Sequence, residues 1–437
     1  MAVRLGSLLP LIQLVLIASS DGSPLKKCAG KGCRPPVVLV PGDLGNQLEA
    51  KLDKPSVVHY ICYKKTDDFF TLWLNLELLV PVAIDCWIDN MRTGLSGDWT
   101  KSEVIAADFS PNTPTLSIAL IYNRTTRSTE APPGVDVRVP GFGQTYPLEY
   151  LDPSGRSVGM YFFTIVQALT EAGYTRDHDI RGAPYDWRKA PNENKPYFLA
   201  LQQMIEEMAE EFGGPVVVVA HSMGNMYALY FLNQQSQAWK DRYVKAFVCL
   251  GPPWAGVAKT LRVLASGDNN RIPVISSLKI RSQQRTAVST TWLLPYASAW
   301  PARKVLVSTP AANYTLSDYR RFFADVGFPD GWLMRQDTEA LVGGLEPPGV
   351  PVHCLYGTGV ATPEAFRYGA GFPDAEPAVE YGDGDGTVNL LSARACRGWA
   401  GRQPQPVSLL ELPGNEHVAM LLNLTTVEYI KKVLAAP

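Results

Sequence analysis

Three kinds of residue in this 437-residue chain have the types and the setting to do acyl-transfer chemistry: a serine, a histidine and one of two neighbouring aspartates. Ser222 stands in Val216–Gly224, VVVVAHSMG, between four consecutive valines and the helix-forming stretch Asn225–Leu232, NMYALYFL. Consecutive β-branched residues read as a buried strand, and the small residues that follow permit a tight turn. A serine at the tip of such a turn is a nucleophile if a base can take its proton. The base must come from five histidines, His59, His178, His221, His353 and His417.

Strand, strained turn and helix in that order describe a nucleophile elbow, and the fold class expected is α/β, with an α/β-hydrolase core. The turn lifts the serine clear of the sheet and points the helix N-terminus at the place where negative charge develops. Ala220 takes the place of the first glycine of G-x-S-x-G, a mild departure because that position asks chiefly for a small side chain. In this fold the triad runs serine, acid, histidine along the chain, so the base follows Ser222. His353 lies inside the apolar run VPVHCLYG and reads as a core histidine. His417 lies in the polar loop PGNEH after the strand VSLLEL, where a base must hang. The acid belongs in the loop after the penultimate strand, where YGDGDGT offers Asp383 and Asp385, which spacing alone does not separate. A calcium-loop reading of D-G-D-G fails, because Val388 stands at the sixth position and Arg394 at the twelfth. No metal or other cofactor is called for. The oxyanion hole requires two backbone amides, expected from Met223, just after the nucleophile, and from Asp43, in the turn after the early strand Pro36–Val40.

Those residues need a sheet to hold them. Core strands are expected at 36–40, 216–219, 245–251, 350–357 and 407–412, with helices over 158–171, 195–212 and 418–434. A long stretch from Pro252 to about Pro348 lacks β-α alternation and suits a cap or lid, with Ser266–Ser277 as its most lid-like loop. Phe69–Ile84 reads as an amphipathic helix overloaded with apolar residues, among them Trp73, Leu74, Leu76 and Leu78, either core packing or a membrane-docking surface pinned by Cys62 and Cys86.

The formal net charge of −2 excludes a nucleic-acid footprint. A pI near 6.3 makes the surface cationic at acid pH, which favours anionic membranes. Residues 1–23 read as a secretory signal, with an apolar core at Leu8–Ala18 too short to span a bilayer and cleavage between Ser20 and Ser23. Asn-x-Thr sequons at Asn123, Asn313 and Asn423 fit that route as glycosylation sites. Of seven cysteines, Cys249 reads as a free core thiol; Cys28 and Cys33 lack the second half of a zinc site.

Longer strings carry a resemblance: VPGDLGNQLEAKLDKP (40–55), CWIDN (86–90), RVPGFG (138–143), PYDWR (184–188), AHSMGNMYALYFL (220–232), LASGDNNRIPVI (264–275) and DGDGTVNL (383–390). Together they resemble the lecithin–cholesterol acyltransferase family, and within it the lysosomal phospholipase branch. The sterol-esterifying branch typically has Cys, Gly and Cys where this chain has Asp43, Ala220 and Asn225. The resemblance implies Ser222, Asp385 and His417 as the triad, the Asp43 and Met223 amides as the oxyanion hole, and disulfides Cys62–Cys86 and Cys354–Cys396. It implies a hydrolase core over 35–61, 140–257 and 346–437, a membrane-binding subdomain over 62–139 with Trp73, Leu74, Leu76 and Leu78 at the membrane, and a cap over 258–345. The resemblance breaks at 93–119, about 27 extra residues whose in-frame placement and Ser/Thr/Asp/Pro-rich texture suggest a retained intron or gene-model error rather than a lineage-specific loop.

The activity implied is a calcium-independent phospholipase A and transacylase, acting on glycerophospholipids at acid pH and passing the acyl group to water, ceramide or another lipid alcohol. The implied partners are thus a phospholipid membrane surface, a glycerophospholipid donor and a lipid-alcohol acceptor. A monomer in the lysosome, reached through the secretory pathway and with some secretion, is expected. Two alternatives are a secreted phosphatidylcholine–sterol acyltransferase and a catalytically silent lipid-binding protein. Asp43 adds a physical expectation: a carboxylate beside an oxyanion hole repels the developing charge, so it serves best protonated, and burial raises its pKa.

Overall fold

The computed structural model describes residues 34–92, 122–269 and 275–436. The signal segment, Cys28, Cys33, the extra residues 93–119 and 270–274 of the expected lid loop lie outside these.

The strands in chain order are β1 (Val37–Val40), β2 (Leu48–Leu52), β3 (Phe70–Trp73), β4 (Val135–Arg138), β5 (Ile180–Gly182), β6 (Val216–His221), β7 (Val244–Leu250), β8 (Val307–Ser308), β9 (Asn313–Tyr314), β10 (Val352–Thr358), β11 (Thr362–Arg367), β12 (Ala378–Gly382) and β13 (Val407–Pro413). Six of them form one parallel sheet in the order β13-β10-β7-β6-β1-β5. The run of valines is explained by this sheet, because it is covered on both faces. Val38, Val40, Val216, Val218 and Ala220 pack into one core with helices Lys195–Phe212 and Met223–Gln234. Val37, Leu39, Val217 and Val219 alternate to the other face and pack with helices Phe163–Glu171 and Leu424–Ala435. Every residue of β6 is buried. The helix Lys195–Phe212 ends at Gly213, whose φ of 69° is the left-handed cap that glycine adopts without strain.

Register decides where the site forms. Val40 pairs with Ala220 and His221 with Leu250, so β1, β6 and β7 finish at one edge of the sheet. β10 and β13 run alongside to Thr358 and Pro413. The loops that follow all open at the C-terminal ends of parallel strands, where doubly wound sheets bind ligands.

Two smaller sheets flank this frame. β2 pairs antiparallel with β3 and with β4, joining a strand before the boundary expected at residue 62 to strands beyond it. β12, β11, β8 and β9 form the other. Among the described residues between Pro252 and Pro348, helices at 259–265, 277–286, 288–292, 319–325 and 330–342 are joined by loops and by the short strands β8 and β9.

The segment Phe69–Ile84 is not one helix. It is strand β3, a 3-10 turn at Leu76–Leu79 capped by Asn75, and only from Ala83 a helix to Met91. Its dense apolar content mimicked one helical face because β3 is covered by Trp87 and Trp187, both packed against Trp73. The helices expected from 158 and 418 begin at Phe163 and Leu424, each after a short 3-10 turn.

Candidate active site

Ser222 follows β6 as the N-cap of the next helix, with φ 54° and ψ −130°, a left-handed backbone that a non-glycine residue adopts only when its surroundings enforce it. The enforcement is visible. The Ser222 amide donates to Leu250 O at 2.9 Å. Asn225 Nδ2 donates to Ser222 O and Leu250 O at 2.9 and 3.0 Å, tying the helix start to both strands. A Cβ on Gly224 would lie 2.2 Å from Pro41 O, and one on Gly42 would lie 2.7 Å from Ser222 Cβ. The elbow and the turn after β1 are therefore in contact through glycines that admit no side chain.

His417 hangs from the loop after β13. Its Nε2 lies 2.8 Å from Ser222 Oγ and its Nδ1 2.7 Å from Asp385 Oδ2. Its backbone amide donates to Asp385 O at 2.9 Å, so the ring and main chain of His417 are both held by Asp385. The other carboxylate oxygen of Asp385 accepts from the amides of Val388 and Thr387 at 2.7 and 3.0 Å. Asp385 and His417 are buried, at 1% and 7% exposure. Geometry also separates the two aspartates: Asp383 accepts from the Gly359 amide at 2.6 Å and serves the loop, not the base. Ser222, His417 and Asp385 form one unbroken hydrogen-bonded chain, the arrangement that lets a serine hydroxyl attack a carbonyl while its proton moves to imidazole.

A profile described as "Lecithin:cholesterol acyltransferase" matches residues 93–425. The chain belongs to the lecithin:cholesterol acyltransferase family. The bovine protein named lysosomal phospholipase A and acyltransferase is 65% identical over 406 residues, 93% of each chain. The human protein of that name is 62% identical over 430 residues, 98% of this chain and 96% of its own. Human phosphatidylcholine-sterol acyltransferase is 46% identical over 400 residues, 91% of this chain and 84% of its own.

In this member of the lecithin:cholesterol acyltransferase family, the turn Pro41-Gly42-Asp43 lies against the elbow. Neither the Asp43 amide nor the Met223 amide has an acceptor among the described residues. Asp43 is exposed, so water reaches it. The protein mass around it nonetheless strips enough solvation to push its carboxyl up to about 7, against smaller opposing pulls from the Leu44 amide and Lys259.

The sequence overlooked two residues, Tyr161 and His221, which hydrogen-bond to one another and to the site. His221 lies beside Ser222 in the motif, but it precedes the nucleophile and so falls outside the search for a base. His353 is the core histidine expected, half-buried with Nδ1 3.1 Å from Tyr429 Oη.

Disulfides Cys62–Cys86 and Cys354–Cys396 are formed, and Cys249 is free and buried. The side chains expected at a membrane are placed otherwise. Trp73 and Leu74 are buried, with Trp73 Nε1 donating to Leu44 O at 2.8 Å, and Leu76 and Leu78 are half-buried against the core. They are apolar because they pack. The apolar residues that do face solvent here are Val58, Tyr60, Ile61, Tyr63, Val80 and Val82, gathered around Cys62–Cys86. Of the sequons, Asn313 is exposed and Asn423, the N-cap of the last helix, is partly so. Asn123 is buried instead of lying at the surface, its side-chain oxygen taken by the Thr125 and Thr126 amides.

Proposed function

We propose that this protein is a serine phospholipase A and transacylase that works without calcium in an acidic compartment. The observation that carries the reading is the chain Ser222–His417–Asp385 in a sequence 62% identical to the human lysosomal phospholipase A and acyltransferase. Ser222 Oγ attacks the carbonyl carbon of a glycerophospholipid ester while its proton passes to His417 Nε2. Asp385 accepts from Nδ1–H and stabilises the imidazolium. The amides of Met223 and Asp43 take the oxyanion. Collapse breaks the ester C–O bond, the leaving oxygen takes the proton from His417, and lysophospholipid departs from acyl-Ser222. Water, or the primary hydroxyl of ceramide or another lipid alcohol, then attacks with His417 again as base, and Ser222 is regenerated.

The acid preference follows from Asp43. Below about pH 7 its carboxyl is protonated and presents no negative charge to the oxyanion. The donor is drawn from a membrane, whose anionic lipids favour a surface that turns cationic in acid. The exposed apolar residues around Cys62–Cys86, from Val58 to Val82, are the contact we assign at the N-terminal edge of a membrane-binding subdomain over 62–139. Residues 258–345 serve as a cap over a core made of 35–61, 140–257 and 346–437. The relatives' names support a lysosomal site of action, and we take the working unit to be a monomer.

Identity of 46% to the human phosphatidylcholine-sterol acyltransferase supports a second reading, with sterol as acceptor. Asp43, Ala220 and Asn225 weigh against it. Phosphatidylcholine liposomes containing ceramide or cholesterol, assayed from pH 4 to 8 beside Ser222→Ala, test both. Serine-dependent fatty acid and acylceramide with a maximum below pH 6 support the first reading. Sterol ester formed only near neutral pH overturns it in favour of the second.

A further inference from the structure

Behind the triad lies a buried polar chain that the cycle above does not use. The Gly42 amide donates to Tyr161 Oη at 3.1 Å. Tyr161 Oη is hydrogen-bonded to His221 Nδ1. His221 Nε2 lies 3.0 Å from His417 O. Tyr161 is 5% exposed and His221 1%, so water does not compete for these bonds.

With a neutral imidazole, which burial favours, the two ends fix every proton between them. An amide N–H can only donate and a carbonyl can only accept. His221 therefore carries its proton on Nε2 and gives it to His417 O. Its Nδ1 is bare and accepts the hydroxyl proton of Tyr161, whose oxygen accepts from Gly42. Burial, reinforced by His417 alongside, holds His221 well toward its neutral form. A neutral neighbour matters here, since the imidazole rings are 4.7 Å apart and His417 becomes a cation during each proton transfer.

We propose that Tyr161 and His221 form a positioning relay that couples the oxyanion loop Gly42–Asp43 to the backbone of the base His417. The relay rests on the assignment of Ser222 as nucleophile and His417 as base. His417 is gripped from both sides of its main chain: its N–H by Asp385 O, its C=O by His221. Gly42 is packed closely against both partners: a Cβ there would stand 2.7 Å from Ser222 Cβ and 3.0 Å from Tyr161 Oη. A shift of either end is passed to the other, so the amide that receives the oxyanion and the imidazole that receives the proton keep one relative placement.

The test uses the full chain, a soluble p-nitrophenyl ester and a fluorophosphonate that labels activated serines. Tyr161→Phe and His221→Leu should each lower kcat at least tenfold with KM within about twofold, as expected when reacting groups are misplaced without loss of substrate contacts. His221→Gln should recover most of the loss, because its amide N–H can serve His417 O while its amide oxygen serves Tyr161. The double variant Tyr161→Phe/His221→Leu should be no worse than the worse single, since both break one chain. If His221→Leu does not fold, Tyr161→Phe, which removes one oxygen, decides. Wild-type kcat in Tyr161→Phe and His221→Leu, or His221→Gln as damaged as His221→Leu, would overturn the relay. Failure of the wild-type chain to label at Ser222 would overturn the nucleophile assignment, and the relay with it.

Discussion

At the scale of residues, turnover depends on each member of the triad. Ser222→Ala should lower kcat by about 10⁶-fold and Asp385→Asn by about 10⁴-fold, the second because the imidazole is then held in the wrong tautomer. Steady-state hydrolysis of a soluble ester checks both. Asp43 makes a demand of a different kind. Its proton is held up to about pH 7, whereas an unfolded aspartate releases it near 3.8. Between those values the unfolded chain binds fewer protons than the folded one, so this group lowers stability as pH rises through that window, and the deficit is complete above it. Asp43→Asn, which mimics the protonated acid, should match the wild-type Tm near pH 4 and exceed it at pH 7.5. The same variant should move the pH optimum for ester hydrolysis upward. An unchanged profile would remove Asp43 from the pH dependence. Chain order made Ser222 and His417 legible in the sequence, because only two histidines follow the serine and one lies in a strand. The choice between Asp383 and Asp385 needed the loop's hydrogen bonds, and the part played by Tyr161 needed three dimensions.

At the scale of elements, glycines let the elbow and the turn after β1 meet. In most helices Gly→Ala stabilises by about 1 kcal/mol. At Gly224 the added methyl meets Pro41 O at 2.2 Å, so the turn after β1 must move away from the elbow. Gly224→Ala should therefore destabilise by about 1–3 kcal/mol, the cost of overpacking, and should also slow fluorophosphonate labelling at Ser222. A lower urea midpoint checks the first part; a higher one would contradict it. The central strands β1, β6, β7 and β10 were legible because strands covered on both faces are continuously apolar, and β13, a partly exposed edge strand, was legible from its apolar run Leu409–Leu410 and the polar loop after it. β5 is three residues at the sheet edge and lacks that signal. Phe69–Ile84 was misleading for the converse reason: a strand, a 3-10 turn and a helix start, all facing one core, are as apolar together as one amphipathic helix.

At the scale of the whole molecule, attachment to lipid and chemistry should separate. Tyr60→Ser with Tyr63→Ser removes exposed rings next to Cys62–Cys86, distant in sequence from the triad and unattached to the core. The pair should weaken liposome sedimentation and liposome hydrolysis severalfold and leave soluble-ester kcat/KM unchanged. Trp73→Ala should instead lower stability by about 3–5 kcal/mol, because that ring is buried between Trp87 and Trp187. Deletion of residues 93–119 should leave folding intact and liposome activity equal or improved. Loss of activity would show that the segment is used.

The central claim is that Ser222 carries the acyl group between lipid donor and acceptor. The most direct measurement is mass spectrometry of the Ser222 peptide after acid quench of the protein turning over phosphatidylcholine liposomes at pH 4.5. The expected result is the donor's acyl mass on Ser222, absent in Ser222→Ala and depleted when ceramide is added. Acyl mass on another residue, or unimpaired turnover by Ser222→Ala, would contradict the account.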